Sequence, residues 1–187
     1  MSITTERVRW TVDDLAGFPD NGNRYEIIEG ELFVTRAPHW KHQDIAGAIY
    51  AELRYWSQHQ GSGQAAFAPS VIFSDTDSVI PDVVWASSES LNTLLDDAGH
   101  LTGAPELVVE VLSRSASDRK RDYETKVKLY SIQGVLEYWI ADRERRSLEV
   151  YRREAGQLKK VMTLYRSDRL TSPLLEEFSL ASKNIFE

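Results

Sequence analysis

The sequence predicts a mixed α/β domain (α+β in its details), a central mixed β-sheet flanked by helices. Three observations lead there. Leu107 to Leu112 is a nearly continuous β-branched and apolar run, the pattern of a strand covered on both faces. A helical stretch over roughly 118–133 and a second apolar strand, Leu136–Ala141, follow it, and that order suits a right-handed parallel crossover. Short alternating runs separated by tight-turn residues then place β-hairpins toward both ends of the chain.

Composition narrows the class. The 187 residues suit a single domain spanning 1–187 with a full core. No apolar stretch approaches the ~18 residues of a membrane span, and Met1–Trp10 lacks the apolar segment of a secretory leader. Cysteine is absent, which excludes disulfides, thiolate metal sites and a thiol nucleophile; a cytoplasmic address fits. The net charge of −7 argues against coating nucleic acid through bulk charge, but leaves room for a local basic surface. Arg114, Arg119, Lys120, Arg121, Lys126 and Lys128 form one basic cluster and Arg143, Arg145, Arg146, Arg152 and Arg153 another; either could be simply a solvated face.

In chain order, Thr11 and Asp14 match a capping box, predicting a short helical turn over 12–17 before the Pro19–Asn23 loop. Arg24–Val34 reads as two strands around a Glu29-Gly30 turn. Pro38 introduces a helix of about 20 residues, with Ile45, Ala46, Ile49, Leu53 and Trp56 on one face and His42 near its start. Gly61-Ser62-Gly63 ends it. Ala65–Phe73 and Val79–Trp85 are expected strands around a turn at 75–78, with Asp82 in the middle of the second. Pro81 there marks an edge, a bulge or a strand start. Residues 87–104 are polar, with a short helix over Ser90–Leu95. Gly134 caps the later helix, and Leu148–Tyr151 pairs with Lys160–Tyr165 around Glu154-Ala155-Gly156. The tail from Pro173 carries no clear pattern.

The chemistry lies where this pattern is violated. Asp82 and Glu110 are acids inside two apolar strands, where an ionised group is costly unless paired or metal-bound. If the strands are neighbours, the two carboxylates can share a divalent ion, and hard oxygen donors without cysteine favour Mg²⁺ or Mn²⁺. The alternative is that each acid is satisfied by backbone N–H groups or an arginine. A cation is wanted beside them. Leu112, on the face of Glu110, cannot supply it, but the following helix can. At about 100° per residue, Lys126 falls roughly 60° from Tyr123 and next to Tyr130, on the rim of the buried face set by Tyr123, Val127 and Tyr130. Lys128 points toward solvent. A lysine whose stem merely covers the core is the alternative for Lys126.

Several of these segments together resemble the Uma2 family, restriction-endonuclease-like proteins of the PD-(D/E)XK nuclease superfamily. They are Arg24–Leu32 (RYEIIEGEL), His42, Ile80-Pro81-Asp82, Pro105–Ser113 (PELVVEVLS), the four-spaced Asp122, Lys126 and Tyr130, and Gly134–Ile140. The resemblance covers about residues 10–155. It implies a restriction-endonuclease-like core and metal-dependent hydrolysis of phosphodiester bonds, with DNA as partner. By resemblance Asp82 and Glu110 are the metal ligands, and Lys126 is the superfamily's lysine, displaced from position 112 to the helix. Glu31 and His42 also fall at recurrent family positions, Glu31 as a further ligand or water-orienting group. For His42 a helix-start histidine bonded to the hairpin is the simpler account. Two alternatives stand beside the endonuclease: a catalytically weak nucleic-acid-binding or regulatory module on a nuclease fold, and a hydrolase of small phosphorylated substrates. Tyr138, Trp139 and Tyr151, read as exposed strand aromatics, and the need to cut two strands point to a homodimer.

Overall fold

The computed structural model describes residues 8–60 and 62–186. The first part of the stretch read for a leader, Gly61 of the helix-ending Gly61-Ser62-Gly63, and Glu187 lie outside them. The elements are α1 (Val12–Leu15), β1 (Arg24–Ile28), β2 (Glu31–Thr35), α2 (Trp40–Gln60), β3 (Gly63–Phe67), β4 (Val71–Ser74), β5 (Asp77–Val79) and β6 (Val83–Ser87). After these come α3 (Ser88–Leu94), β7 (Leu107–Val111), α4 (Ala116–Lys120), a π-helical turn (Arg121–Thr125), α5 (Lys126–Gln133) and β8 (Glu137–Asp142). The chain closes with β9 (Ser147–Glu154), β10 (Gln157–Leu164), β11 (Arg169–Ser172), β12 (Leu175–Ala181) and α6 (Lys183–Phe186).

The main sheet has six strands in the order β10-β9-β8-β7-β6-β3. β7 and β8 run parallel, joined through α4, the π turn and α5, and every other pairing in it is antiparallel. This is the mixed sheet with helices on both sides that the strand–helix–strand pattern predicts. The alternation of β7 divides its side chains between two cores. Leu107, Val109 and Val111 face Ile45, Ile49 and Leu53 of α2. Val108 and Leu112 face Leu129 and Tyr130 of α5 with Tyr138 and Ile140 of β8. Glu110 belongs to the second face, where its neighbours along the strand are apolar.

Two expected strands are each divided. Residues 65–73 form β3 and β4, separated by Ala68 in the left-handed region (φ 48°) and by Pro69, and the two halves enter different sheets. Residues 79–85 divide likewise at Ile80-Pro81-Asp82, because Pro81 has no N–H to give a ladder. β4, β5 and the N-terminal hairpin thus build a second sheet, β2-β1-β5-β4, and Asp82 stands at the entrance to β6 rather than mid-strand. The hairpin turns at Glu29-Gly30 (φ 52° and 77°) and Ala155-Gly156 (φ 49° and 81°) have the double left-handed geometry of tight β-hairpins. The tail that lacked a pattern forms the β11–β12 hairpin, whose Leu170, Leu175, Phe178 and Leu180 close the α2 side of the core.

Tyr138 and Trp139 are fully buried, so they offer no surface to a second copy; the homodimer expectation loses that support. The alternation of β8 buries both because each face of its sheet is covered. Among the described residues no helix is long and apolar enough to cross a membrane.

Asp142 ends β8 and shapes the turn into β9. Its Oδ1 accepts the Glu144 and Arg145 N–H groups at 2.9 and 3.1 Å, and its Oδ2 accepts Arg119 Nη2 at 2.7 Å. Burial opposes its charge, but the Arg119 hydrogen bond and the turn N–H groups hold its pKa below the ordinary value. A lowered folded-state pKa stabilises above the unfolded value of about 3.9 and is lost as pH falls through the folded one. Asp142→Asn should therefore destabilise the protein by about 1–3 kcal/mol at pH 7 in urea unfolding. The difference from wild type should shrink steadily below about pH 4.

Candidate active site

Three consecutive structural facts bring the acids together. The β6–β7 register sets Val83 opposite Val109 and Val84 opposite Val108, so Asp82, just before β6, comes to the end of β7 that carries Glu110. The Val111 N–H donates to Asp82 Oδ2 at 2.8 Å, fixing the carboxylate on its neighbour strand. The hairpin β1–β2 then folds over this edge, and β1 places Arg24 and Glu26 on one face by simple alternation.

A π-helical turn precedes Lys126, whose N–H bonds the Arg121 carbonyl, one residue further back than in an α-helix. From Lys126 on the helix is regular, and Lys126, Leu129 and Tyr130 share its buried face at i, i+3, i+4 spacing, so the lysine is buried, not on the rim that a regular wheel from Tyr123 gives. Tyr123, the reference residue of that wheel, is only half-buried and reaches instead to Glu149, 3.4 Å from its hydroxyl.

The Lys126 ammonium donates to Glu110 Oε1 at 2.7 Å and Glu26 Oε1 at 3.0 Å, and lies 3.7 Å from Asp122 Oδ1. The Tyr130 hydroxyl donates to the same Glu110 oxygen at 3.1 Å, so this tyrosine both packs and bonds. Glu26 Oε1 also accepts the Ile80 N–H at 2.9 Å, tying the hairpin to the segment that carries Asp82. Arg24 Nη1 donates to Asp82 Oδ1 at 2.6 Å, and His42 Nε2 lies 3.2 Å from Asp82 Oδ2. His42 thus turns to Asp82, not to the hairpin backbone. Asp82, Glu110, Lys126, His42, Glu26 and Arg121 line one small cavity of about 40 Å³, room for a few water-sized groups at about 10–15 Å³ each.

Glu31 is elsewhere. It pairs with Ile28 at the turn end of the hairpin, is exposed, and borders a separate cleft with Arg9, Trp10 and Gly30. The acid that β1 delivers to the cavity is Glu26. Its signal was present in the sequence: an acid within Arg24–Ile28, like Asp82 and Glu110 in their own apolar runs. Arg24, in the same segment, and Arg121, in a cluster that also reads as surface, went equally unassigned.

Electrostatics separate the two central acids. Burial raises the Glu110 pKa, and Asp82 and Glu26 add to the rise while Lys126 resists it; the result is about 7. For Asp82, burial is outweighed by the hydrogen bond and charge of His42 and by Arg24, so its pKa lies below the ordinary value. Burial also pushes Asp122 well upward. Lys126 is opposed by burial, yet the charges of Glu110, Glu26 and Asp122 raise its pKa, so it stays an ammonium. His42 is raised above its ordinary value by Asp82 despite burial.

The donor set fits a small hydrated divalent cation better than a closed cage. Glu110 takes its Lys126 and Tyr130 hydrogen bonds on Oε1, and Asp82 lines the same cavity. Among the described residues no three His, Cys, Asp or Glu side chains converge into a metal-binding group. Two carboxylates completed by water are what Mg²⁺ commonly takes. The buried Arg121 Nε has no hydrogen-bond partner among the described residues and borders the same cavity, a donor available to an anionic oxygen.

A central mixed sheet with helices on both sides is a restriction-endonuclease-like fold. The chain belongs to the Uma2 family, whose model, described as "Putative restriction endonuclease", matches residues 12–183. The fold is similar to that of a crystal structure titled as a "putative nuclease belonging to DUF820" from Anabaena variabilis. The two share 20% sequence identity at a TM-score of 0.76, over 94% of this chain and 97% of that one. A search of curated proteins finds no match. Family membership supports nuclease activity.

Removing one partner of a buried charge cluster strands the rest, so Glu26→Ala should cost about 3–5 kcal/mol in urea unfolding. In the metal-free protein the Glu110 carboxyl should titrate near pH 7 by ¹³C-edited NMR, while Asp82 remains ionised throughout the neutral range.

Proposed function

We propose that this protein is a metal-dependent endonuclease that hydrolyses phosphodiester bonds of DNA. The observation that carries the proposal is the meeting of Asp82, Glu110 and Lys126 around one cavity, with the lysine supplied by the helix after β7 instead of by position 112. Asp82 and Glu110 would hold Mg²⁺ or Mn²⁺, which when bound supplies Lewis-acid polarisation of a phosphoryl oxygen and a water of lowered pKa.

The chain's own groups do the rest. His42 and Arg24 fix the Asp82 carboxylate, and the Val111 N–H sets its plane. Lys126 retains its proton, so it orients water and offsets charge on the phosphate instead of abstracting a proton. Arg121 Nε, which has no hydrogen-bond partner among the described residues, can donate to a phosphate oxygen at the cavity. Water adds to phosphorus, the ester P–O bond breaks, and the leaving oxygen takes a proton.

Beside the cavity a cleft of about 470 Å³ is lined by Arg24, Arg36, His39, Arg114 and Arg143. In a chain with 29 acidic and 22 basic residues, such a concentration of arginine favours a polyanionic substrate. We place its action in the cytoplasm, a reducing compartment that suits a chain without cysteine.

One observation favours a binding module instead: Arg24 and His42 already engage Asp82. Incubation of supercoiled plasmid with the protein decides between them. Cleavage should require Mg²⁺ or Mn²⁺, vanish with EDTA, and fall by about 10²–10³-fold in Lys126→Met and Asp82→Asn, each compared with wild type at a temperature where circular dichroism shows the variant folded. DNA retention without cleavage by folded wild-type protein would establish the binding module, and hydrolysis of nucleotides alone a small-substrate enzyme.

A further inference from the structure

The first turn of α2 holds the most exposed aromatic side chain among the described residues. Trp40 is 80% exposed, while Trp85 and Trp139 are buried and Trp10 and Trp56 pack against other rings. Its neighbours in sequence are all committed. His39 lines the arginine cleft, His42 lines both that cleft and the Asp82 cavity, and Lys41 lines a further pocket of about 350 Å³. That pocket is also bordered by Arg143, Arg146, Arg166 and Lys183, with Asp44 its one acid among the described residues. Arg143 belongs to both basic concavities, and its Nη1 lies 3.2 Å from His39 Nδ1, so the two adjoin around the start of the helix.

Trp40 itself lines neither concavity; it stands in water at the helix start, where its sequence neighbours His39 and Lys41 border one basic concavity each, and the His39 cleft shares Arg24 and His42 with the candidate catalytic cavity. The positive end of the 21-residue α2 adds to the same potential. An indole left in solvent is unfavourable for the free protein, and base stacking is what an aromatic platform inside a cationic groove offers a nucleic-acid strand.

We infer that the α2 start is the strand-holding element of this site, with Trp40 stacked on an unpaired base and the two basic clefts holding the phosphates on either side of it. The inference rests on the nucleic-acid substrate proposed above, and it names a local form of that substrate: a strand that is single or opened at one base.

Metal-free protein titrated into a fluorescein-labelled single-stranded oligonucleotide at low salt reads this by anisotropy and by tryptophan emission. Binding should quench emission, and Trp40→Phe should remove most of that quench while retaining much of the affinity. Trp40→Ala should weaken binding by about ten-fold. That loss should disappear on an oligonucleotide of abasic residues. The double variant Arg146→Glu/Lys183→Glu should weaken binding and flatten its salt dependence. Equal binding by wild type and Trp40→Ala would overturn the inference while leaving the nuclease proposal intact. So would a Trp40→Ala effect confined to self-association. Trp40-dependent binding without metal-dependent cleavage would uphold the inference and sink the nuclease activity, and no binding of any nucleic acid would sink both.

Discussion

An acid on an interior strand survives only where positive charge is brought to it, and here that charge is the ammonium of Lys126. Without it, Glu26, Glu110 and Asp122 would crowd together in a low-dielectric pocket, each raising the cost of ionising the others. The lysine is in turn held charged by the same acids. This mutual dependence joins three parts of the chain that are distant in sequence: the N-terminal hairpin, the central parallel strand and the crossover helix. A second group around Asp82, Arg24 and His42 joins the same hairpin to α2.

The scaffold explains how a small cavity can be this polar. β7 and β8 are covered on both faces, and their apolar side chains continue into two cores. The polar residues gather at one end, where the β5–β6 link crosses between sheets and the helix between β7 and β8 loosens into a π turn. Both irregularities do positional work. Pro81 ends one ladder so that Asp82 can lead into the other, and the π turn leads into the buried Lys126, Leu129 and Tyr130 face of α5. Burial pushes both central acids upward; His42 and Arg24 outweigh it at Asp82, whereas at Glu110 Lys126 does not outweigh burial and the neighbouring acids, so the two pKa values part.

Much of this was legible in the sequence because it follows from periodicity and from breaches of it. The parallel crossover was readable in the apolar runs around the Gly134-capped helix, and both tight hairpins in their turn residues. Asp82 and Glu110 stood out as acids in apolar strands. The rest depended on information that no local window holds. The division of 65–73 and 79–85 between two sheets is a tertiary choice made at Ala68-Pro69 and Pro81. The half-exposure of Tyr123 beside a buried Lys126 goes with a π turn that has no distinct sequence signal. Glu31 and Glu26 are both acids of one hairpin, and only the docking of its open end against α5 decides which of them reaches the cavity. Tyr138 and Trp139 looked like surface aromatics because a strand buried on both faces leaves no alternation to read.

The central claim is that Asp82 and Glu110 form one cation site served by Lys126. Crystals grown with Mn²⁺ and measured at the manganese absorption edge test it without reference to turnover. An anomalous peak between the two carboxylates, with Lys126 still beside Glu110, is the predicted result. A map in which manganese binds elsewhere, or nowhere while Arg24 and His42 keep Asp82, would contradict it.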